Sequence, residues 1–235
     1  MWQIKQTLPR NLKDNLSMKG LIDFVLVDFG STDGLQEWIV ENFKQEIKEG
    51  YLKYYYTEEM PYWHVCVAKN TAHVLSESDI VVNLDGDNYT GKDGGKFVLE
   101  NMVKNGIHDT VIHQFRFNYD IWNGSYGRIA LSRENFINIG GYDEDFDPMT
   151  HQDSDLLKRL RLVGINYLHL NNEEYNNAIS NGKEAKIANA LSGRTSEDMH
   201  EWNCMLAEMK FASGQFVANK GKSRIGIEKN IYKLE

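Results

Sequence analysis

Apolar runs and amphipathic segments alternate across the first two-thirds of the chain. Residues 21–28 (Leu-Ile-Asp-Phe-Val-Leu-Val-Asp) are almost continuously apolar, as expected of a strand covered on both faces of a mainly parallel sheet. A turn at Gly30-Ser31-Thr32-Asp33-Gly34 follows, and 35–48 has the spacing of an amphipathic helix. Residues 51–56 predict a second strand, about 63–77 a second helix and 79–84 a third strand. A glycine-rich turn at 91–95 opens a helix to about Lys104, 110–117 alternates as a strand does, and 127–132 is another short strand. Residues 156–163 predict a helix and 167–170 a last strand. From about 171 the pattern is polar and mostly helical, with apolar anchors at Trp202, Met205, Leu206, Met209 and Phe216. βαβαβ order implies an α/β fold with ligands at the carboxyl ends of the strands, where Asp28 and Asp85 both fall.

Composition narrows the partners. The 235 residues suit one sizeable domain or two small ones, and 26% charged with 41% hydrophobic residues describes an ordinary globular protein. A net charge of −8 argues against a general nucleic-acid binder or adhesion to anionic membranes, and leaves room for a metal that neutralises phosphate. Cys66 and Cys204 belong to no CxxC and no Cys/His cluster, so neither a disulfide framework nor a structural zinc is expected. No apolar run approaches the ~18 residues of a membrane span, and the N-terminus lacks a signal-peptide core, so the expected compartment is the cytoplasm.

Three motifs carry chemistry. In Val81-Val82-Asn83-Leu84-Asp85-Gly86-Asp87-Asn88 an apolar strand runs into two aspartates one residue apart, with Gly86 free to turn the backbone between them. Such a pair collects a hard divalent cation, which in turn collects phosphates; an ordinary turn at the strand end is the plainer alternative. Asp28 closes a buried strand and needs a partner, which the N–H donors of a uracil or guanine would provide; Ser31 or Asp33 can cap the next helix. Gly140-Gly141-Tyr142-Asp143 is followed by Asp153-Ser154-Asp155, readable either as an N-cap and a first-turn acid or as catalytic carboxylates.

Together and in this order, the motifs resemble the family 2-like glycosyltransferases of the GT-A fold. Asp28-Phe29-Gly30-Ser31-Thr32-Asp33 looks like the family's nucleotide-side motif and Asp85-Gly86-Asp87 like its DxD. Gly127 to Ser132, through Phe136 and Gly141 to Gln152-Asp153-Ser154-Asp155, is similar to the C-terminal half of β-1,4-galactosyltransferase catalytic domains. The resemblance covers about residues 5–170. It implies a nucleotide-diphospho-sugar transferase with a mixed, mainly parallel sheet flanked by helices, a catalytic domain over 1–170 and a helical extension of that domain over 171–235. It further implies an inverting, metal-dependent hexosyl transfer from a nucleotide-sugar, expected to be UDP-linked, to a saccharide or glycoconjugate acceptor, as in bacterial polysaccharide biosynthesis. Position by position, Asp28, Lys69, Asn70 and Asp85 lie on the nucleotide side, and Asp85 and Asp87 hold Mn²⁺ or Mg²⁺. His169 matches a further metal-ligand histidine, with an exposed strand residue as its alternative. Asp153 matches the base that deprotonates the acceptor hydroxyl. Gln152, Asp155, Gly141 and Trp122 would face the acceptor, Asp155 alternatively orienting the loop.

Two departures qualify the match. Members usually read Gly-Glu-Asp where this chain has His151-Gln152-Asp153. The stretch Gln6-Thr7-Leu8-Pro9-Arg10-Asn11 looks like the middle of the family's first helix, with the family's central first strand absent before it. That absence exposes sheet edges, inviting a partner chain or second copy to cover the gap, or weakening nucleotide binding. A GT-A remnant serving as a binding or assembly module is the competing reading. A nucleotidyltransferase would need a glycine-rich, Lys/Arg-bearing phosphate loop near the N-terminus, which this sequence lacks.

Overall fold

The computed structural model describes residues 1–115, 117–118, 121–122, 124–180, 193–220, 222 and 225–234, with 117–118 and 121–122 as backbone. In chain order it contains α1 (Trp2–Asp14), β1 (Phe24–Asp28), α2 (Leu35–Asn42), α3 (Lys44–Lys48), β2 (Leu52–Tyr56), α4 (Val65–Leu75), β3 (Ile80–Val82), β4 (Asn88–Tyr89) and α5 (Gly94–Asn105). Then follow β5 (Thr110–Gln114), β6 (Phe117–Asn118), β7 (Ile121–Trp122), β8 (Ile129–Ser132), α6 (Arg133–Asn138), α7 (Gln152–Leu162), β9 (Asn166–Leu170), β10 (Asn177–Ala178), α8 (Ser196–Ala212) and β11 (Tyr232–Lys233). Among the described residues no helix is long and apolar enough to cross a membrane.

The helix expected over 35–48 is two helices. Phe43 leaves helical geometry at φ −128° and buries its ring edge-on to Trp38, centroids 5.1 Å apart. The gain from packing that ring outweighs one continuous helical ladder.

The strands form two principal sheets. In one, β1 and β2 pair in parallel, Phe24 opposite Leu52 through Asp28 opposite Tyr56, and β11 adds antiparallel to β2. In the other the order is β3-β8-β5-β9, with β8 antiparallel to both neighbours and β5 parallel to β9. Alternation along β5 and β8 sends Val111, Ile129 and Leu131 to a core with Phe136 and the α7 residues Leu156 and Leu160. Ile112 and Ala130 point the other way, to Val98 and Met102 of α5. A third cluster joins Leu8 and Leu12 of α1 to Ile39, Leu52 and Tyr54.

Between the two sheets runs a seam. Among the described residues β1 pairs only with β2 and β3 only with β8, and both strands line one cleft of about 1690 Å³. Val65, Ala68 and Ala72 of α4, Leu8 of α1 and Val98 of α5 line it too. Residues 24–27 are therefore only half-buried and Val82 is 39% exposed, although helices flank these strands.

The described residues of the tail include strands that its pattern does not predict. β10 pairs with β4 and β11 with β2, leaving α8 as its one long helix among the described residues. A capping box between Thr195 and Asp198 starts α8. Of the expected anchors, Leu206 packs on the core and Phe216 is half-buried, but Trp202, Met205 and Met209 are exposed. The buried face of the helix is Met199, Asn203 and Ala207 instead. Asn203 holds it there, donating to the carbonyls of Asp147, Met149 and Thr150.

Candidate active site

The cleft takes in the end of β1 and the turn that follows β3. The Asp85-Gly86-Asp87 turn is fixed from behind by polar side chains of α1: Thr7 donates to the Gly86 carbonyl at 2.7 Å and Asn11 to the Asn88 carbonyl at 2.9 Å. Asn15 donates to Thr90 Oγ1 and accepts from the Gly95 amide, both at 2.7 Å. From the other flank the buried guanidinium of Arg128 donates to Asn88 Oδ1 at 2.7 Å. Burial lowers its pKa to about 10, Asp85 and Asp87 opposing the fall.

Lys69, on α4, lies at the centre. Its ammonium stands 2.8 Å from Asp153 Oδ1 and 3.7 Å from Asp85 Oδ1, joining the α7 carboxylate to that of the turn after β3. Burial works against that charge, but Asp153 and Asp85 outweigh it and raise the amine's pKa. Burial pushes the Asp153 carboxyl above its usual range, Lys69 pulling it down and Asp85 adding to the rise. Glycine at 127 keeps the space between them open, since a Cβ there would lie 2.7 Å from Asp85 Oδ2 and 3.0 Å from Lys69 Nζ. Gln152 donates to Asp153 Oδ2 at 3.0 Å, while its own Oε1 is buried with no partner among the described residues. Tyr126 Oη meets Ser154 Oγ at 3.0 Å on the same wall.

Asp85 and Asp87 both line the cleft and offer carboxylate oxygens, the donor type a hard cation selects. Asn83 donates to Asp85 Oδ1 at 2.9 Å and Asn88 to Asp87 Oδ1 at 2.6 Å, orienting both groups. Two side chains leave most of a divalent ion's coordination to water and phosphate oxygens, as Mn²⁺ or Mg²⁺ tolerates. The pair therefore fits the expected metal.

Asp28 also lines the cleft, but it is 2% exposed and its partners are internal: Tyr54 Oη donates at 2.6 Å and the Ser31 amide at 2.8 Å. Other expected site residues lie elsewhere. Asn70 is fully buried and does not line the cleft; it donates to the Tyr142 carbonyl and Glu144 and accepts from the Tyr142 amide. Gly141, at φ +63°, lies inside that same turn, where a Cβ would sit 2.5 Å from Asn70 Oδ1. Asp155 is also withdrawn from the cleft. It holds Arg159 at 2.8 Å, both groups 2% exposed, and Arg159 donates to the carbonyls of Ile139 and Gly141. These contacts match the loop-orienting alternative, a buried carboxylate paired with a buried cation. His169 sits on β9, three strand positions from β3, its ring stacked on Phe115 at 4.2 Å and its Nε2 at the Phe115 carbonyl. It does not line the cleft with Asp85 and Asp87. The Trp122 side chain lies outside the described residues.

Sequence spacing also left things unseen. Nothing linear joins Lys69 to Asp153, 84 positions apart, or the α1 asparagines to the DxD loop. Cys204, expected to stand alone, has His151 Nδ1 at 3.2 Å and His200 Nε2 at 3.5 Å. The spacing His200-x₃-Cys204 on a helix was the one available signal.

Solved structures share this architecture. The mannosyltransferase PcManGT from Pyrobaculum calidifontis, in complex with GDP-Man and Mn²⁺, aligns at TM-score 0.60 and 17% identity over 92% of this chain and 68% of its own. S. aureus TarS 1–349 in complex with UDP aligns at TM-score 0.58 and 14% identity over 89% of this chain and 69% of that one. With UDP-GlcNAc, TarS gives 0.53 and 15% over the same shares. What these identities establish is the fold: the chain has the GT-A nucleotide-sugar transferase architecture. No family model and no curated protein sequence matches it.

Proposed function

We propose that this protein is a metal-dependent, inverting glycosyltransferase that moves a hexosyl group from a nucleotide-sugar, UDP-linked, to a hydroxyl of a saccharide or glycoconjugate. The observation that carries this reading is the meeting of Asp85 and Asp153 across Lys69 in one cleft. The nucleotide and nucleotide-sugar ligands of PcManGT and TarS support the donor class.

Asp85 and Asp87 would hold the divalent cation, which when bound supplies charge neutralisation for the departing diphosphate. Asp153 takes the proton of the acceptor hydroxyl as its oxygen attacks the anomeric carbon; the bond from that carbon to the diphosphate oxygen breaks on the opposite face. Its raised pKa, from burial, suits a base that must accept a proton near neutrality. Gln152 Oε1, buried and unpartnered, can accept from a neighbouring acceptor hydroxyl. Lys69 keeps Asp153 aimed and separates it from Asp85.

Calorimetric titration with UDP and with GDP, each with and without Mn²⁺, tests the donor side. Mn²⁺-dependent binding of UDP that disappears in Asp87→Ala is expected; binding indifferent to that change would remove the metal assignment. Asp153→Asn should retain nucleotide binding and lose about 10²- to 10⁴-fold in transfer rate. Wild-type turnover in that variant would place the base elsewhere. The seam beside β1 and β3 favours one second reading, a GT-A remnant that binds without catalysis, and absence of binding to either nucleotide would select it.

A further inference from the structure

We propose that His151, His200 and Cys204 form a second metal site, distinct from the acidic pair, that takes Zn²⁺ and ties α8 to the start of α7. The donor atoms of the three residues lie within 4.8 Å of one another. A tetrahedral zinc with Zn–S of about 2.3 Å and Zn–N of about 2.0–2.1 Å places sulfur and nitrogen about 3.5 Å apart. The sulfur of Cys204 is 3.2 Å from His151 Nδ1 and 3.5 Å from His200 Nε2, already at that spacing. Two imidazoles and a thiolate are a borderline-soft set, suited to zinc and poorly matched to Mn²⁺ or Mg²⁺.

The backbone presents the ligands. His200 and Cys204 are four residues apart on one face of α8. His151 comes from the segment before α7, where Thr150 at φ +74° and His151 at φ +65° are both left-handed without being glycine. Such a conformation costs energy and persists where surrounding contacts compel it. Asn203 compels part of it through the Thr150 carbonyl; a metal on His151 would supply the rest. His151 and His200 both line the cleft, so a fourth coordination position would open toward it. Asp153 begins two residues after His151, and the zinc would therefore set the orientation of the α7 N-terminus that carries it.

The experiment is titration of the metal-free full chain with Co²⁺, followed by absorption, then displacement by Zn²⁺. Visible ligand-field bands with a near-ultraviolet thiolate-to-cobalt band at one equivalent are expected, bleached by Zn²⁺. Cys204→Ser should abolish the thiolate band, and His200→Ala should weaken binding by more than about 100-fold, since even an outer-shell partner is worth about 10- to 100-fold. Both positions are on the partly or fully exposed side of α8, so circular dichroism should show the variants folded. Asp87→Ala should leave the thiolate band unchanged, separating this site from the proposed nucleotide-side metal. Absence of a thiolate band in the wild-type chain, or its survival in Cys204→Ser, overturns the proposal; Cys66 is fully buried and the band's survival would point there.

Discussion

The two halves of the sheet are packed differently, and the more apolar strands are not the better buried: β1 reads Phe-Val-Leu-Val-Asp and β5 Thr-Val-Ile-His-Gln. Every residue of β5 and β8 is buried, because each of these strands has a partner on both sides and helices above and below. Residues 24–27 of β1 are only half-buried, and in β3 Ile80 is half-buried, Val81 buried and Val82 exposed, because among the described residues each strand lacks a partner on the side facing the other. An apolar run predicts a strand that can be covered on both faces; lateral pairing is a separate requirement, set by which strand arrives beside it. The candidate carboxylates divide along the same line, Asp153 rising from the closed half, Asp28 ending β1 and Asp85 lying in the turn after β3.

The largest test of this contrast is the ion pair that stiffens the closed half. Asp155→Ala leaves Arg159 charged and buried, and should cost about 3–5 kcal/mol in denaturant unfolding, whereas replacing both residues with Leu and Met should cost far less. An exposed-pair value below about 1 kcal/mol would mean the turn at Gly141 is held by other contacts. Next, Ile112→Ala in the fully buried strand should lose about 2–5 kcal/mol, and Leu26→Ala at the seam about 1 kcal/mol. Equal losses would mean the seam closes in solution.

Acid separates the halves in the opposite sense. Burial holds His73, whose ring packs on Phe136, and His113 of β5 neutral, each lowered from 6.5 to about 4. The unfolded chain therefore takes up protons first; the stability these residues contribute is complete above pH 6.5 and is lost as pH falls toward 4. The full effect is about 3 kcal/mol per imidazole. Amide exchange should show β5 losing protection across that window, while β1 changes little; an invariant β5 would mean the imidazoles are not excluded from protons. Activity should fall on the acid side as well, as Asp153 with its raised pKa becomes protonated.

The part of the candidate site that was legible in the sequence is the part whose chemistry is local. A carboxylate at a strand end, a glycine between two aspartates and an acid in the first turn of a helix are read from neighbours in sequence, and Asp85, Asp87, Asp153 and Gln152 all line the cleft. Three expected positions stand apart from the cleft. Asn70 and Asp155 are each next to a cleft residue yet turn inward, because a helix rotates adjacent side chains to different faces, and Gly141 lies in the turn that Asn70 holds. Their roles depend on Tyr142, Ile139 and Arg159, partners that spacing cannot name.

The order of strands and helices, the GT-A architecture and the placement of Asp28 and Asp85 at strand ends follow from the linear pattern, since periodicity and turn chemistry act over a few residues. Lys69 between two carboxylates, the hold of α1 on the DxD loop, the seam between β1 and β3 and the meeting of His151 with Cys204 depend on chain segments distant in sequence. Their proximity is a property of packing. It arises when helices and sheets bury their apolar faces together, and no local pattern encodes which side chains then meet.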